Sequence, residues 1–230
     1  MTKRTKNATR SQPGDALSRL DDAGLQSAVR HLADIEPNFA AIVDRHGLPP
    51  LWPREPGFGT LALLMLEQQV SLAQARTMFQ RVVAAAGEMS PLAVHALGEE
   101  GLRAVGVTRQ KASYLHRLAA QLAGGSLDLA ALEAMPDDAA IAALDALHGV
   151  GPWTAQCYLL FALRRPDVFP HADLALMESY RAAWRLRVRP APEVLSRRAE
   201  SWRPWRAAAA RLLWHRYLCQ RTISPRGTKP

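Results

Sequence analysis

One carboxylate in the last third of the sequence is placed to do chemistry. Asp173 follows Pro170-His171-Ala172 and precedes a helical run from Leu174 to Trp184. The start of a helix favours an ionised carboxyl group, because the free N–H groups and the helix dipole are positive there. Such a carboxylate can stabilise developing positive charge or orient a water molecule. The alternative is that Asp173 only caps its helix.

Two glycines flank one apolar residue in the segment Leu147-His148-Gly149-Val150-Gly151-Pro152-Trp153-Thr154-Ala155. This pattern predicts a tight turn between two helices, and Pro152 suits the first position of the second helix. Backbone N–H groups at the start of a helix can hold a phosphate. The predicted contacts are Gly149, Val150, Gly151 and Thr154. The alternative is an ordinary turn between helices.

The elements that must position these residues are helical almost throughout. Asp21-Asp22 and Ser71 predict helix starts, and Gly124-Gly125 predicts a helix end. The run from Leu61 to Leu66 is apolar on all sides, which predicts a buried helix. No stretch alternates like a half-buried strand for more than a few residues. We expect an all-α protein of about ten short helices, in two lobes divided near Gly124-Gly125.

Composition and charge narrow the class of protein. The chain has 230 residues, of which 48% are hydrophobic and 22% charged, as in ordinary globular proteins. Its 29 basic and 21 acidic residues give a net charge of +8, and residues 181–230 hold 13 basic and two acidic residues, a local net of +11. This asymmetry suggests a polyanion partner, of which nucleic acid is the commonest, and the alternative is a solvated Arg-rich surface. No secretory leader opens the chain and no apolar run could span a bilayer, so we expect a cytoplasmic protein without membrane contact.

Several segments, in order, resemble the helix-hairpin-helix superfamily of DNA base-excision glycosylases, and within it the 3-methyladenine DNA glycosylase II family. The resemblance spans roughly residues 57 to 220. The matching segments are Glu67-Gln68-Gln69-Val70-Ser71, Gly106-Val107-Thr108-Arg109-Gln110-Lys111-Ala112, Leu147 to Ala155, Asp167-Val168-Phe169 followed by Asp173, and Trp202-Arg203-Pro204-Trp205-Arg206.

The resemblance implies a two-lobed helix-hairpin-helix DNA glycosylase fold with the active-site cleft between the lobes. It implies a compact form, since some relatives carry a further β-rich domain at the N-terminus. We expect a disordered basic arm over residues 1–15, the glycosylase domain over 16–220 and a flexible tail over 221–230.

The resemblance also assigns roles to individual residues. Asp173 is the catalytic carboxylate. The rival carboxylate Asp167 follows Arg164-Arg165-Pro166, and this local sequence by itself predicts a structural residue of a solvated loop. Gln69 is the plug that fills the space left in DNA by an extruded base. The implied substrate pocket is lined by Trp153, Trp214, Tyr158 and Cys157, although the family often has an aromatic residue at the place of Cys157. Trp202 and Trp205 are expected in the core.

The position of Trp153 decides between two mechanisms. By resemblance, Trp153 stands where bifunctional relatives have a lysine that forms a Schiff base with the sugar. An indole nitrogen cannot do this, and Lys111 is the only lysine between Lys6 and Lys229. Water is therefore the expected nucleophile, and the product is an abasic site.

The resulting hypothesis is a monofunctional, monomeric enzyme that excises alkylated bases of the 3-methyladenine and 7-methylguanine type from double-stranded DNA. The alternatives are an oxidised-purine glycosylase with lyase activity and a non-catalytic helix-hairpin-helix DNA-binding protein. The histidines and the two cysteines show no spacing for a transition metal, and no cofactor is expected. The resemblance implies that the backbone carbonyls of Leu147 and Val150 could hold a structural Na⁺ or K⁺.

Overall fold

The computed structural model describes residues 19–223, and all regular secondary structure in this range is helical. The all-α prediction is confirmed. None of the helices in this range is long and apolar enough to cross a membrane. The α-helices are α1 Asp22–Ile35, α2 Pro37–His46, α3 Phe58–Glu67, α4 Leu72–Ala86, α5 Pro91–Ala104, α6 Arg109–Ala123, α7 Asp137–Asp145, α8 Pro152–Phe161, α9 Leu174–Ala183, α10 Pro192–Ala199 and α11 Arg206–Ile223, and 3-10 helices cover Ala131–Ala134 and Glu200–Trp202.

The predicted terminal segments fall largely outside this range. The basic arm over residues 1–15 lies outside the described residues, as does the tail from residue 224 onward. Helix α11 continues to Ile223, three residues into the segment predicted as a flexible tail.

The predicted helix boundaries are confirmed at three places where the local sequence supplies a cap. The Asp21 carboxylate accepts a hydrogen bond from the backbone N–H of Gly24 at 2.7 Å and starts α1. Ser71 starts α4 in a reciprocal capping box with Gln74. Helix α6 ends at Ala123, and Gly124 is its C-cap. These caps depend on residues at most four positions apart, which is why the sequence reveals them.

Two hydrophobic cores divide the chain. The first core is formed by residues 58–168, including α3, α6, α7 and most of α8. The second core combines residues 20–51 with residues from Leu160 onward and includes α1, α2, α9, α10 and α11. The two-lobed architecture is confirmed, but the predicted division near Gly124-Gly125 is wrong. The glycines end a helix, whereas Leu118 before them and Leu144 after them pack into the same first core.

Helices α3 and α11 carry the framework of the site. In α3, Leu61, Leu64 and Leu66 are buried, which confirms the predicted buried helix. In α11, the fully buried guanidinium of Arg211 donates to the carbonyl oxygens of Leu51 at 2.9 Å and Leu160 at 2.8 Å. Because buried cations need hydrogen-bond acceptors, these contacts fix α11 against the end of α8.

The predicted hairpin joins α7 to α8. Its Gly149 has φ +80°, a left-handed conformation that disfavours residues with a side chain. A Cβ atom there would lie 2.8 Å from both Met65 Cε and Tyr114 Cβ. At Gly151, by contrast, φ is −96° and a Cβ would meet nothing within 4 Å. Only the first glycine is required by conformation and by close packing.

We therefore expect Gly149→Ala to lower the free energy of unfolding by at least about 2 kcal/mol, from left-handed strain of roughly 1–2 kcal/mol and overpacking against Met65 and Tyr114 of about 1–3 kcal/mol. Gly151→Ala is the matched control, and because Gly151 is only the N-cap of α8, the change should cost less than about 1 kcal/mol. Urea denaturation followed by circular dichroism measures both. Equal losses in the two variants would contradict this account of the hairpin.

Candidate active site

The carboxylate of Asp173 is held by three N–H donors. Asp173 is the N-cap of α9, and its Oδ1 accepts the backbone N–H of Leu176 at 2.9 Å. The same oxygen accepts the indole N–H of Trp214 at 3.1 Å, and Oδ2 accepts the indole N–H of Trp153 at 2.9 Å. The predicted helix-capping position is confirmed. Capping uses one bond of Oδ1, while two tryptophans from other helices converge on the same side chain.

Residues from both cores meet at Asp173, Trp153 and Trp214. Trp153 follows the first residue of α8 and packs against the first core. Trp214 in α11 packs against both cores, while Asp173 begins a helix of the second core. A carboxylate offers about four lone-pair sites, so three bonds leave it one on Oδ2. The arrangement is a fixed, partly exposed anion between the lobes.

A stacked arrangement lies behind Trp214, and the sequence did not predict it. The Trp214 ring stacks on Phe161, with centroids 5.2 Å apart and planes at 24°. The guanidinium of Arg54 lies 5.0 Å from the Phe161 centroid and donates to both carboxylate oxygens of Glu67, at 2.9 and 3.1 Å. Arg54 lies in a proline-rich segment without helical periodicity, so no local pattern pointed to it. This pair fixes the end of α3 next to the aromatic stack.

Two of the predicted pocket residues lie behind the site. Cys157 and Tyr158 are both fully buried. The Tyr158 hydroxyl accepts the backbone N–H of Gly57 at 2.8 Å, so it links α8 to the start of α3. Burial raises the pKa of the Cys157 thiol well above its usual value, and the negative charge of Asp173 adds to the shift. The prediction that these two side chains line the substrate pocket is corrected, because a substrate needs accessible surface. Of the four predicted pocket residues, Trp153 and Trp214 are partly exposed.

Gln69 lies in the turn over residues 68–70, hereafter the plug turn, between α3 and α4. Its side chain is exposed, and its φ is +59°. A left-handed conformation costs a non-glycine residue roughly 1–2 kcal/mol, and such strain persists only where surrounding contacts impose it. The neighbouring Gln68 supplies one such contact, since its Nε2 donates to the hydroxyl of Thr154 at 2.9 Å.

Lys111 supplies the other contact to the plug turn. Its Nζ donates to the backbone carbonyls of Leu66 at 2.6 Å and Gln68 at 2.7 Å, at the C-terminal end of α3. A cation is favourable there because the last carbonyls of a helix carry negative partial charge. Desolvation by burial lowers the pKa of Lys111. The sequence marked this lysine by its isolation from other lysines and by its place in a segment that resembles the glycosylase family.

The hairpin offers backbone rather than side-chain groups to a ligand. Val150 and Thr154 are only 3% and 1% exposed, and the Thr154 hydroxyl is the acceptor for Gln68. The side chain of Thr154 is therefore structural, and the predicted contact at Thr154 would depend on its backbone N–H. The first N–H groups of α8, including those of Gly151 and Trp153, have no partner within the helix. These groups are available for an anion.

A monovalent cation at the hairpin would depend on carbonyl oxygens. Across residues 19–223, no group of three or more His, Cys, Asp or Glu side chains is placed to hold a metal ion. The carbonyl of Leu147 accepts the N–H of Val150 at 3.1 Å, which leaves its second lone pair for a cation. The donor chemistry fits Na⁺ or K⁺, whose site stays a prediction.

Asp167, the rival carboxylate, has a structural environment. It accepts hydrogen bonds from the guanidinium groups of Arg203 at 2.5 Å and Arg206 at 2.9 Å. Its side chain is only 18% exposed, so the expected solvated loop is wrong, while the expected structural role agrees with these ion pairs. Asp167 is paired with cations, whereas the bonds to Asp173 come from neutral donors.

Comparison with known proteins shows the family of this chain. Residues 63–204, more than half of the chain, match the family model described as HhH-GPD superfamily base excision DNA repair protein. The chain therefore belongs to the HhH-GPD superfamily of base excision DNA repair proteins.

Several similar proteins are named as 3-methyladenine DNA glycosylases. DNA-3-methyladenine glycosylase 1 of Schizosaccharomyces pombe is 27% identical over 198 residues, covering 83% of this chain and 86% of that protein. The solved structure of a 3-methyladenine DNA glycosylase from the same yeast, in complex with abasic DNA, has a TM-score of 0.76 at 27% identity, covering 82% and 95% of the two chains. A DNA-3-methyladenine glycosidase from Bacillus halodurans has a TM-score of 0.69 at 25% identity, covering 83% and 88%. The predicted family and fold are confirmed.

The burial of Cys157 has a direct chemical consequence. Only a thiolate reacts readily with a disulfide reagent, and Cys157 is both inaccessible and shifted to a higher pKa. We expect Ellman's reagent to modify one thiol, the partly exposed Cys219, in the folded protein and both thiols after denaturation. The control Cys219→Ser should show no fast reaction before unfolding. Rapid modification of that variant would place Cys157 in an accessible pocket after all.

Proposed function

We propose that this protein is a monofunctional DNA glycosylase that hydrolyses the N-glycosidic bond of alkylated bases and leaves an abasic site. The substrates are bases of the 3-methyladenine and 7-methylguanine type in double-stranded DNA. The observation that carries the proposal is the Asp173 carboxylate, fixed between the lobes by Trp153 and Trp214. The names of the relatives at 25–27% identity support the same substrate class.

Binding starts at the hairpin and the plug turn. The free N–H groups at the start of α8 receive a backbone phosphate, as helix N-termini do for anions. The target base must leave the stack before its glycosidic bond can be reached. Gln69, exposed in the plug turn, enters the vacated space, where its amide can both donate and accept hydrogen bonds to the orphaned base.

Asp173 then lowers the barrier to bond cleavage. As the C1′–N bond breaks, its electron pair leaves with the base, and positive charge develops on the sugar. At about 4 Å and an effective dielectric constant near 20, attraction between unit charges is about 4 kcal/mol, or roughly a thousandfold in rate. An alkylated base is already cationic and departs as a neutral molecule, so no general acid is required.

Water completes the reaction. Its oxygen bonds to C1′, and the proton that it loses passes to the remaining lone pair of Asp173 Oδ2 and then to solvent. The products are the free base and an abasic sugar, with no change of oxidation state. Asp173 is ready for this role because its neutral partners orient the carboxylate without cancelling its charge.

The two indoles also suit a cationic base. An electron-rich indole face attracts a cation by about 0.5–2 kcal/mol per good contact. By the resemblance to the glycosylase family, Trp153 stands where bifunctional relatives have a Schiff-base lysine. The amine of Lys111 is engaged by two carbonyls. These placements support hydrolysis without lyase chemistry. We further propose a monomer that needs no cofactor. A cytoplasmic location stays a prediction.

Replacement of Asp173 tests the proposed chemistry. We expect Asp173→Asn to reduce single-turnover base release by roughly a thousandfold, because the charge that stabilises the transition state is lost. DNA affinity should be unchanged or higher, since repulsion of phosphates is also lost. The measurement uses duplex oligonucleotides that each carry one alkylated base, with abasic sites revealed by alkali.

The matched control is Asp167→Asn, which removes a carboxylate from an ion-pair cluster outside the site. It should lower stability but keep the rate of base release. Retention of more than about a tenth of the wild-type rate by Asp173→Asn would reject Asp173 as the essential carboxylate, since a tenfold effect is only about 1.4 kcal/mol. Absence of release by the wild-type protein would favour a non-catalytic DNA-binding protein.

Borohydride trapping tests the monofunctional assignment. A Schiff base between protein and sugar would be reduced to a stable covalent adduct. We expect no adduct under conditions that trap a known lyase, and no nicking of DNA before alkali. A trapped band that disappears in Lys111→Ala would identify Lys111 as the nucleophile and support the lyase alternative instead.

A further inference from the structure

The plug turn has a strained backbone at Gln69. Gln69 is left-handed and exposed, and the turn around it is closed by weak backbone bonds, such as Val70 N–H to Glu67 carbonyl at 3.4 Å. A residue that must enter a DNA stack needs a fixed starting position, because ordering it during binding would reduce affinity. The restraint must therefore come from contacts outside the turn.

Lys111 is placed to provide this restraint. Its ammonium bridges the carbonyls of Leu66 and Gln68, which are 2.6 and 2.7 Å away. Gln68 immediately precedes the plug residue, so its carbonyl belongs to the peptide group that joins it to Gln69. Fixing this carbonyl fixes the orientation of that peptide group, on which the left-handed conformation depends.

The plug turn is also tied to the hairpin. Gln68 Nε2 donates to Thr154 Oγ1 at 2.9 Å and lies 3.5 Å from the carbonyl of Gly149. Helix α6, which carries Lys111, contacts the hairpin through Tyr114, whose ring meets that of His148 edge-on at 5.1 Å. The plug turn, α6 and the hairpin therefore form one connected unit.

Partial burial of the Lys111 ammonium costs desolvation free energy, which an apolar side chain at the same place would avoid. Burial opposes its charge, which is reflected in a lowered pKa. An apolar side chain of similar length would fill the same space without desolvating an ammonium group. What only the cation supplies is the pair of charge-assisted hydrogen bonds to the end of α3.

We propose that Lys111 is a positioning residue for base extrusion, which holds the plug turn so that Gln69 is aligned with the DNA gripped by the hairpin. The inference rests on the proposed function and gives it a structural basis. Lys111 touches neither the sugar nor the base and acts through Gln69.

The test compares DNA contexts. We expect Lys111→Met to reduce single-turnover release from a fully paired lesion by about tenfold to a hundredfold, the effect of losing hydrogen bonds made by a charged group. The loss should be smaller for the same lesion in a mismatch and within about twofold in single-stranded DNA, which needs no plug. Gln69→Ala should show the same order of losses.

A double mutant separates positioning from general destabilisation. If Lys111 acts through Gln69, Lys111→Met adds little to the loss already caused by Gln69→Ala on paired DNA. The matched control is Arg117→Met, which removes an exposed cation from the same helix and should leave all three contexts unchanged. Circular dichroism at the assay temperature confirms that each variant is folded.

A second readout does not depend on catalysis. A duplex with 2-aminopurine opposite an abasic-site analogue reports insertion of the plug by a change in fluorescence. This change should be retained in Asp173→Asn and reduced in Lys111→Met and Gln69→Ala.

A uniform loss across contexts, additive losses in the double mutant, or wild-type fluorescence in Lys111→Met would each overturn the proposal. If the wild-type protein releases no base, the proposed function fails, and the fluorescence measurement still decides the role of Lys111.

Discussion

The candidate active site depends on one carboxylate whose hydrogen-bond partners are all neutral. Asp173 accepts N–H groups from Leu176, Trp153 and Trp214, which belong to three different helices. A salt bridge at this place would have oriented the carboxylate equally well but would have neutralised it. Dipolar donors hold the group without neutralising its charge, which is the condition for the proposed electrostatic stabilisation of a developing cation. Asp167, which is paired with Arg203 and Arg206, shows the opposite arrangement a few residues away.

The two cores make this arrangement possible. Trp153 is fixed by the first core and Asp173 by the second, while Trp214 packs against both. The buried Arg211 holds α11 against Leu51 and Leu160. Because Trp214 lies about one turn further along this helix, its backbone position is fixed as well. Polar groups from both lobes therefore meet at Asp173, and both cores restrain the orientation of its carboxylate.

In the proposed function, the groups that extrude the base belong to the first lobe, whereas the carboxylate for bond cleavage begins a helix of the second lobe. The hairpin and the plug turn are joined by the hydrogen bond between Gln68 and Thr154. The ammonium of Lys111 binds the carbonyls at the C-terminal end of α3. The end of α3 is also held from the other side by the ion pair between Arg54 and Glu67. A helix that is buried along its length and restrained at its last turn is a suitable support for a strained, exposed residue.

The sequence alone determined the features that depend on near neighbours. The caps at Asp21 and Ser71, the buried α3 and the hairpin before Pro152 follow from residues within a few positions of one another, and Asp173 was found by its place before a helix. Tertiary structure decided the rest. The bonds of Lys111 reach 43 and 45 residues back along the chain, and the burial of Cys157 and Tyr158 reflects packing between helices. The lobes are determined by which apolar faces pack together, so a helix end such as Gly124-Gly125 does not locate the boundary between them. Local patterns fix backbone conformation, whereas contacts between distant residues exist only after the helices have packed.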